Sequence, residues 1–165
     1  VICDAIREQK DVEIALSPGF RWGTTLLPAQ PITIDDIYTQ TSMNYPAVYR
    51  THMTGEQLKN MLEDVCDNLF NPNPYYQQGG DMVRVGGMSY ECAPKQLIGK
   101  RIQNMVMSRT GEPLEFDKKY TVGGWASINP KTKGPAIYDV LEEYITRKKI
   151  IQPSGTDYVK VTGIS

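Results

Sequence analysis

A chain of 165 residues with 40% hydrophobic content, and 18 Lys and Arg against 19 Asp and Glu for a formal net charge of −1, is sized for one domain with a workable core. Its charges are scattered, so there is no basic stripe for nucleic acid and no field to steer a polyanion or a membrane surface, and no apolar run approaches the ~20 residues of a membrane helix. Three cysteines (Cys3, Cys66, Cys92) and one histidine (His52) are too few and too scattered for a zinc knuckle, a disulfide framework or a metal centre made wholly within the chain.

Residues 1–7 have helical apolar spacing with no cap before them, the pattern of a chain entered inside a helix, so a piece of something longer is expected. Residues 12–16 form an apolar strand that empties into Ser17-Pro18-Gly19-Phe20-Arg21-Trp22-Gly23. Pro18 and Gly19 end the strand and turn the chain, which would present Phe20, Arg21 and Trp22 at a sheet edge. An arginine there, flanked by aromatics, suits a phosphate- or sulfate-like oxyanion gripped by a planar fork of N–H donors, and its alternative is a surface arginine packing its stem on Trp22.

Thr33 reads as the N-cap of a short helix over 34–38 with acidic residues in its first turn. Residues 47–53 read as a strand with Val48, Arg50 and His52 on one face and Tyr49, Thr51 and Met53 on the other. Thr54 and Gln57 form a capping box for a helix whose Leu58, Met61, Leu62, Val65 and Leu69 make a core stripe, stopped by Asn71-Pro72-Asn73-Pro74. A strand bracketed by Gly79-Gly80 and Gly86-Gly87 follows, carrying Asp81 and Arg84. Residues 100–107 and 119–123 look like two strands joined by a hairpin-like connection over 108–113. A last helix over 136–148 would bury Ile137, Val140, Leu141, Tyr144 and Ile145, with Arg147, Lys148 and Lys149 at its negative end. The fold class is α+β, a mixed sheet flanked by helices. The cysteines read as buried or idle thiols, with one disulfide and one leftover thiol as the alternative.

In this order the segments resemble the C-terminal domain of the 5′-nucleotidases. The matching pieces are Ser17-Pro18-Gly19-Phe20-Arg21, Ile32-Thr33-Ile34-Asp35-Asp36-Ile37, Thr54-Gly55 with Leu62-Glu63, and Val83-Arg84-Val85-Gly86-Gly87. Arg101-Ile102, Gly111-Glu112-Pro113-Leu114 and Tyr120-Thr121-Val122-Gly123 complete the set. Two departures matter. Where those enzymes carry a Pro-Phe pair whose Phe stacks on the base, this chain has Ser42-Met43 followed by Asn44-Tyr45-Pro46. Their Gly-Gly-Asp-Gly loop is replaced by residues 127–135, beginning Ser127-Ile128-Asn129-Pro130. The arginine is kept while both halves of the base clamp are doubtful, which points to an anionic substrate other than a nucleotide.

Within that superfamily the chain looks like the SoxB family of periplasmic thiosulfohydrolases. The resemblance implies a dimanganese centre in a separate N-terminal metallophosphoesterase domain, which releases sulfate from a cysteine S-thiosulfonate on the carrier protein SoxYZ. It implies that this domain alone is inactive and forms one wall of the site. Arg21 would be the cation facing the sulfonate, Phe20, Trp22 and Tyr45 would line a channel for the carrier arm, and Asp81 or Arg84 would sit near its mouth. The alternatives are a divergent 5′-nucleotidase or other phosphoester hydrolase, and a stand-alone protein-interaction domain with Tyr75 and Tyr76 on its docking face.

Overall fold

The computed structural model describes residues 1–19, 25–153 and 158–164. Helix α1 (Ile2–Lys10) leads into β1 (Ile14–Ser17), followed by α2 (Ile34–Gln40), β2 (Tyr49–Thr54) and α3 (Gly55–Phe70). After a 3-10 turn at Pro74–Tyr76 come β3 (Arg84–Gly86), β4 (Met88–Cys92), β5 (Ile102–Met107), β6 (Lys119–Gly124), α4 (Ile137–Lys148) and β7 (Val159–Val161). The strands form two mixed sheets, one of four strands in the order β2-β6-β1-β3 and one of three in the order β5-β4-β7.

The central strand explains the architecture. All four residues of β1 are buried, because alternate side chains of a strand point to opposite faces and here both faces are covered. Ile14 and Leu16 enter a core shared with Leu58, Leu62 and Cys66 of α3 and with the inward residues Met88, Tyr90 and Cys92 of β4. Ala15 enters a second core with Ala5 and Ile6 of α1, Ile37 of α2, and Ile137, Val140 and Leu141 of α4. The four-stranded sheet is thus sandwiched, with α1, α2 and α4 on one side and α3 with the second sheet on the other.

Helix starts follow local chemistry. Thr33 accepts from the Asp36 N–H while the Asp36 carboxylate accepts from the Thr33 N–H, and Thr54 and Gln57 make the same reciprocal pair. Within α3 the buried stripe is Leu58, Leu62 and Cys66, with Met61, Val65 and Leu69 only half-buried at its flank. The last helix likewise buries Ile137, Val140 and Leu141, leaving Tyr144 and Ile145 half-buried. Its end is anchored: Arg147 pairs with Glu8 of α1, and Lys148 reaches the same carboxylate at 3.1 Å.

Glu63 is also buried, at 3% exposure. Its carboxylate accepts from Lys59 Nζ at 2.7 Å and from the backbone N–H groups of Gly99 and Ile102, each at 2.8 Å. Arg101, equally sealed, donates to Asp67 at 2.6 Å and to the Pro94 and Phe70 carbonyls. Together they clamp the entry of β5 onto α3, satisfying polar groups that would otherwise be costly to bury.

Two expectations change. The strands expected over 100–107 and 119–123 exist but do not form a hairpin: β5 pairs with β4 in one sheet, and β6 pairs with β1 and β2 in the other. The connection folds back on β5 itself, where Leu114 N–H donates to the Met105 carbonyl, so that edge of β5 is already occupied. Moreover, the glycine-bracketed strand is only Arg84–Gly86, three residues long.

Candidate functional site

Four strand ends meet at one edge of the four-stranded sheet. The parallel strands β1 and β6 leave the sheet there, at Ser17 and Gly124, while β2 and β3 run the opposite way and enter there, at Tyr49 and Arg84. The register makes this a row: Arg84 lies opposite Ser17, Leu16 opposite Gly124, and Gly124 opposite Tyr49. The segments that flank these ends, 18–19, 44–48, 79–83 and 125–135, are brought together by topology alone. Loops held at the carboxyl ends of parallel strands are where binding residues concentrate.

Three of the predicted site residues fall at this edge. Arg84 opens β3 and is exposed, and Asp81, also exposed, precedes it by three residues. Asp81 abuts Gly19, where a Cβ would lie 2.6 Å from the Asp81 Cβ, so only glycine lets these two segments touch. Tyr45 is 47% exposed, which rules out core packing, and its carbonyl accepts from the Ala126 N–H at 3.0 Å. Phe20, Arg21 and Trp22 lie outside the described residues. His52 is exposed on β2 opposite Thr121, away from the row.

Sequence reasoning missed the residues that brace the edge. Trp125 is 5% exposed and donates its indole N–H to Ser17 Oγ at 2.9 Å, while Ser17 Oγ donates to the Pro18 carbonyl at 3.1 Å. The Tyr49 ring crosses Gly124 so closely that a Cβ there would lie within contact of its hydroxyl, and burial pushes that hydroxyl's pKa up. The available signal was the Gly123-Gly124 pair, small residues that make room for an aromatic on the neighbouring strand.

Where a base clamp would need aromatics, the edge has other chemistry. Met43 is half-buried against the core shared by α1, α2 and α4. Residues 127–132 form a compact polar turn, in which Ser127 Oγ accepts from the Asn129 N–H and Asn129 Oδ1 from the Lys131 N–H.

Beside the edge opens a mainly apolar cavity of about 600 Å³, bordered by Ser17, Gly19, Arg84, Cys3, Ile37 and Leu141. Burial raises the Cys3 thiol to about 11, so it stays protonated at neutral pH. Among the described residues no group of three or more His, Cys, Asp or Glu could hold a metal ion, and no helix is long and apolar enough to cross a membrane. The edge offers an exposed cation, an exposed aromatic and a braced floor.

The family model of the 5′-nucleotidase C-terminal domain matches residues 1–143. No curated protein matches the sequence. Among solved structures, the chain is similar to the sulfate thiohydrolase SoxB of Thermus thermophilus, solved in complex with glycerol. The TM-score is 0.87 and the identity 34%, covering 98% of this chain and 31% of that one. A putative 5′-nucleotidase from Staphylococcus aureus in complex with α-ketoglutarate shares the fold at TM-score 0.74 and 16% identity, covering 97% and 35%. The NAD nucleotidase of Haemophilus influenzae does so at 0.73 and 20%, covering 97% and 32%. The chain spans about a third of the length of these relatives.

Proposed function

The chain belongs to the 5′-nucleotidase C-terminal domain family as a substrate-binding domain of that superfamily, and from this we propose that its sheet edge serves a SoxB-like thiosulfohydrolase. The substrate is a cysteine S-thiosulfonate on the arm of the SoxYZ carrier, and the product is sulfate. Carrying this reading is the pairing of a cationic, loop-built edge with a missing base clamp: Arg84 and Tyr45 are presented there, while Met43 is turned toward the core. The 34% identity to a sulfate thiohydrolase over nearly the whole chain supports it.

In this reading Arg21 and Arg84 hold the sulfonate oxygens through planar N–H forks, which match an oxyanion in a way a point charge does not. Phe20, Trp22 and Tyr45 line the channel for the peptide arm, and Asp81 stands at its mouth. The two manganese ions implied by the resemblance do not fit the described residues, whose one histidine is exposed on β2 away from the row. They belong in this reading to an N-terminal metallophosphoesterase domain, and this chain alone hydrolyses nothing. The location is periplasmic.

The test compares substrates on the intact protein that contains this domain. Sulfate release from thiosulfonate-loaded SoxYZ without phosphate release from adenosine monophosphate is expected. Phosphate release with no sulfate release would assign the domain to a divergent nucleotidase instead.

A further inference from the structure

Two cysteines face each other inside the core beneath the second sheet. Cys66 continues the buried stripe of α3 one turn beyond Leu62, and Cys92 ends the inward alternation of β4 after Met88 and Tyr90. Their sulfurs are 3.6 Å apart, in van der Waals contact, and the residues are 0% and 3% exposed. Cys3 packs against the other core, across the four-stranded sheet, and does not join them. A disulfide needs the sulfurs to close by about 1.5 Å more, which is within reach of side-chain rotation.

We propose that Cys66 and Cys92 form a disulfide that cross-links α3 to β4. The two are 26 residues apart, and the chain between them carries the 3-10 turn, residues 79–83 and β3. The bond therefore closes the loop that delivers Asp81 and Arg84 to the sheet edge. Closing this loop restricts the unfolded chain more than the folded one, so the cross-link stabilises the fold without any new contact.

The oxidant is a disulfide reagent. A Cys66 thiolate attacks one of its sulfurs and expels a thiolate, which takes up a proton. The Cys92 thiolate then attacks the Cys66 sulfur of the mixed disulfide and expels the second thiolate. Two protons and two electrons pass from the cysteines, and the reagent leaves as two thiols. Burial raises the Cys66 thiol to about 12 and the Cys92 thiol above its ordinary value, so the folded dithiol reacts slowly and the bond forms during folding.

The full chain is unfolded and refolded with reduced and oxidised glutathione, then alkylated, digested and weighed. Expected are a loss of ~2 Da, one alkylatable thiol remaining at Cys3, and a peptide pair joined through Cys66 and Cys92. The product should melt roughly 5–10 °C above its dithiothreitol-reduced form. In a Cys66→Ala, Cys92→Ala double variant, dithiothreitol should leave the melting temperature unmoved. Three alkylatable thiols after refolding, glutathione adducts in place of the linked peptides, or a cross-linked form that melts no higher than the reduced one would overturn the proposal. A dithiothreitol-sensitive melt in the double variant would do so too.

Discussion

Trp125 donates its indole N–H to Ser17 Oγ at 2.9 Å, tying the residue after β6 to the last residue of β1 where both strands leave the sheet. Neither residue is exposed beyond 5%, so water cannot replace a lost partner. Ser17→Ala should cost about 1–3 kcal/mol, because it strands a buried donor. Trp125→Phe removes that donor and leaves the serine hydroxyl its bond to the Pro18 carbonyl. The double variant should then cost less than the two single variants together, as expected for groups that share one hydrogen bond. Urea midpoints of the four proteins measure this, and strictly additive costs would reject the coupling.

The Glu63 cluster should contribute to the acid sensitivity of the fold. Burial acts to raise the Glu63 carboxyl, but hydrogen bonds from Lys59, Ile102 and Gly99 outweigh it and hold the carboxyl below its ordinary value. The Arg101 hydrogen bond lowers Asp67 in the same way. A carboxyl depressed in the folded state contributes stability that is fully present above its unfolded value and is lost as pH falls through its folded value. Stability should therefore be flat above about pH 5 and fall toward lower pH. Glu63→Gln should cost about 2–3 kcal/mol at neutral pH and flatten the acid limb. An acid limb of unchanged slope in this variant would show that Glu63 does not govern it.

Nucleobase binding should be weak at the two positions where the resembled enzymes hold the base. Stacking on an aromatic is worth roughly 1–3 kcal/mol per base, and Met43 and the polar turn at 127–132 supply no ring. Adenosine titrated into the labelled chain is expected to leave the amide resonances around Met43 and Asn129 unmoved at micromolar concentration. Saturable shifts there would restore a nucleotide site.

Two helices, α2 and α3, were legible because their starts are decided within four residues: Thr33 with Asp36, and Thr54 with Gln57, each announce a cap in the sequence itself. Strand partnership was not. Lys119 pairs with Thr54 far upstream, and nothing near residue 119 records that choice, so two strands close in sequence looked like a hairpin. Exposed β7, three residues long and parallel to β4, is too short for its alternation to mark a strand. Glu63 looks like a solvent-facing residue of a helix, because, besides Lys59 one turn before it, its partners are the distant backbone N–H groups of Gly99, Arg101 and Ile102. At the site, the family resemblance picked out Tyr45, Asp81 and Arg84 separately. Their common edge follows from the parallel pairing of β1 with β6, a relationship as long-range as the contact of Trp125 with Ser17, 108 residues apart.

Arg21 and Arg101 should separate turnover from stability. Arg101 is 1% exposed and bound to Asp67 at 2.6 Å, so Arg101→Ala should lower the melting temperature sharply, by the ~3–5 kcal/mol that breaking a buried pair costs. Arg21 stands two residues after Gly19 in the sequence and belongs to no apolar run. Its loss should change stability by no more than about 0.5 kcal/mol. If its guanidinium meets charge developing on the sulfonate oxygens, Arg21→Ala in the intact protein should slow sulfate release about 100- to 1000-fold. Arg21→Lys should recover only part of that loss, since an ammonium cannot reproduce a two-pronged grip. Sulfate release from thiosulfonate-loaded SoxYZ, measured beside melting temperatures for the three variants, decides the matter. Near-normal turnover in Arg21→Ala, or turnover lost only in proportion to a fall in melting temperature, would make Arg21 a structural residue like Arg101.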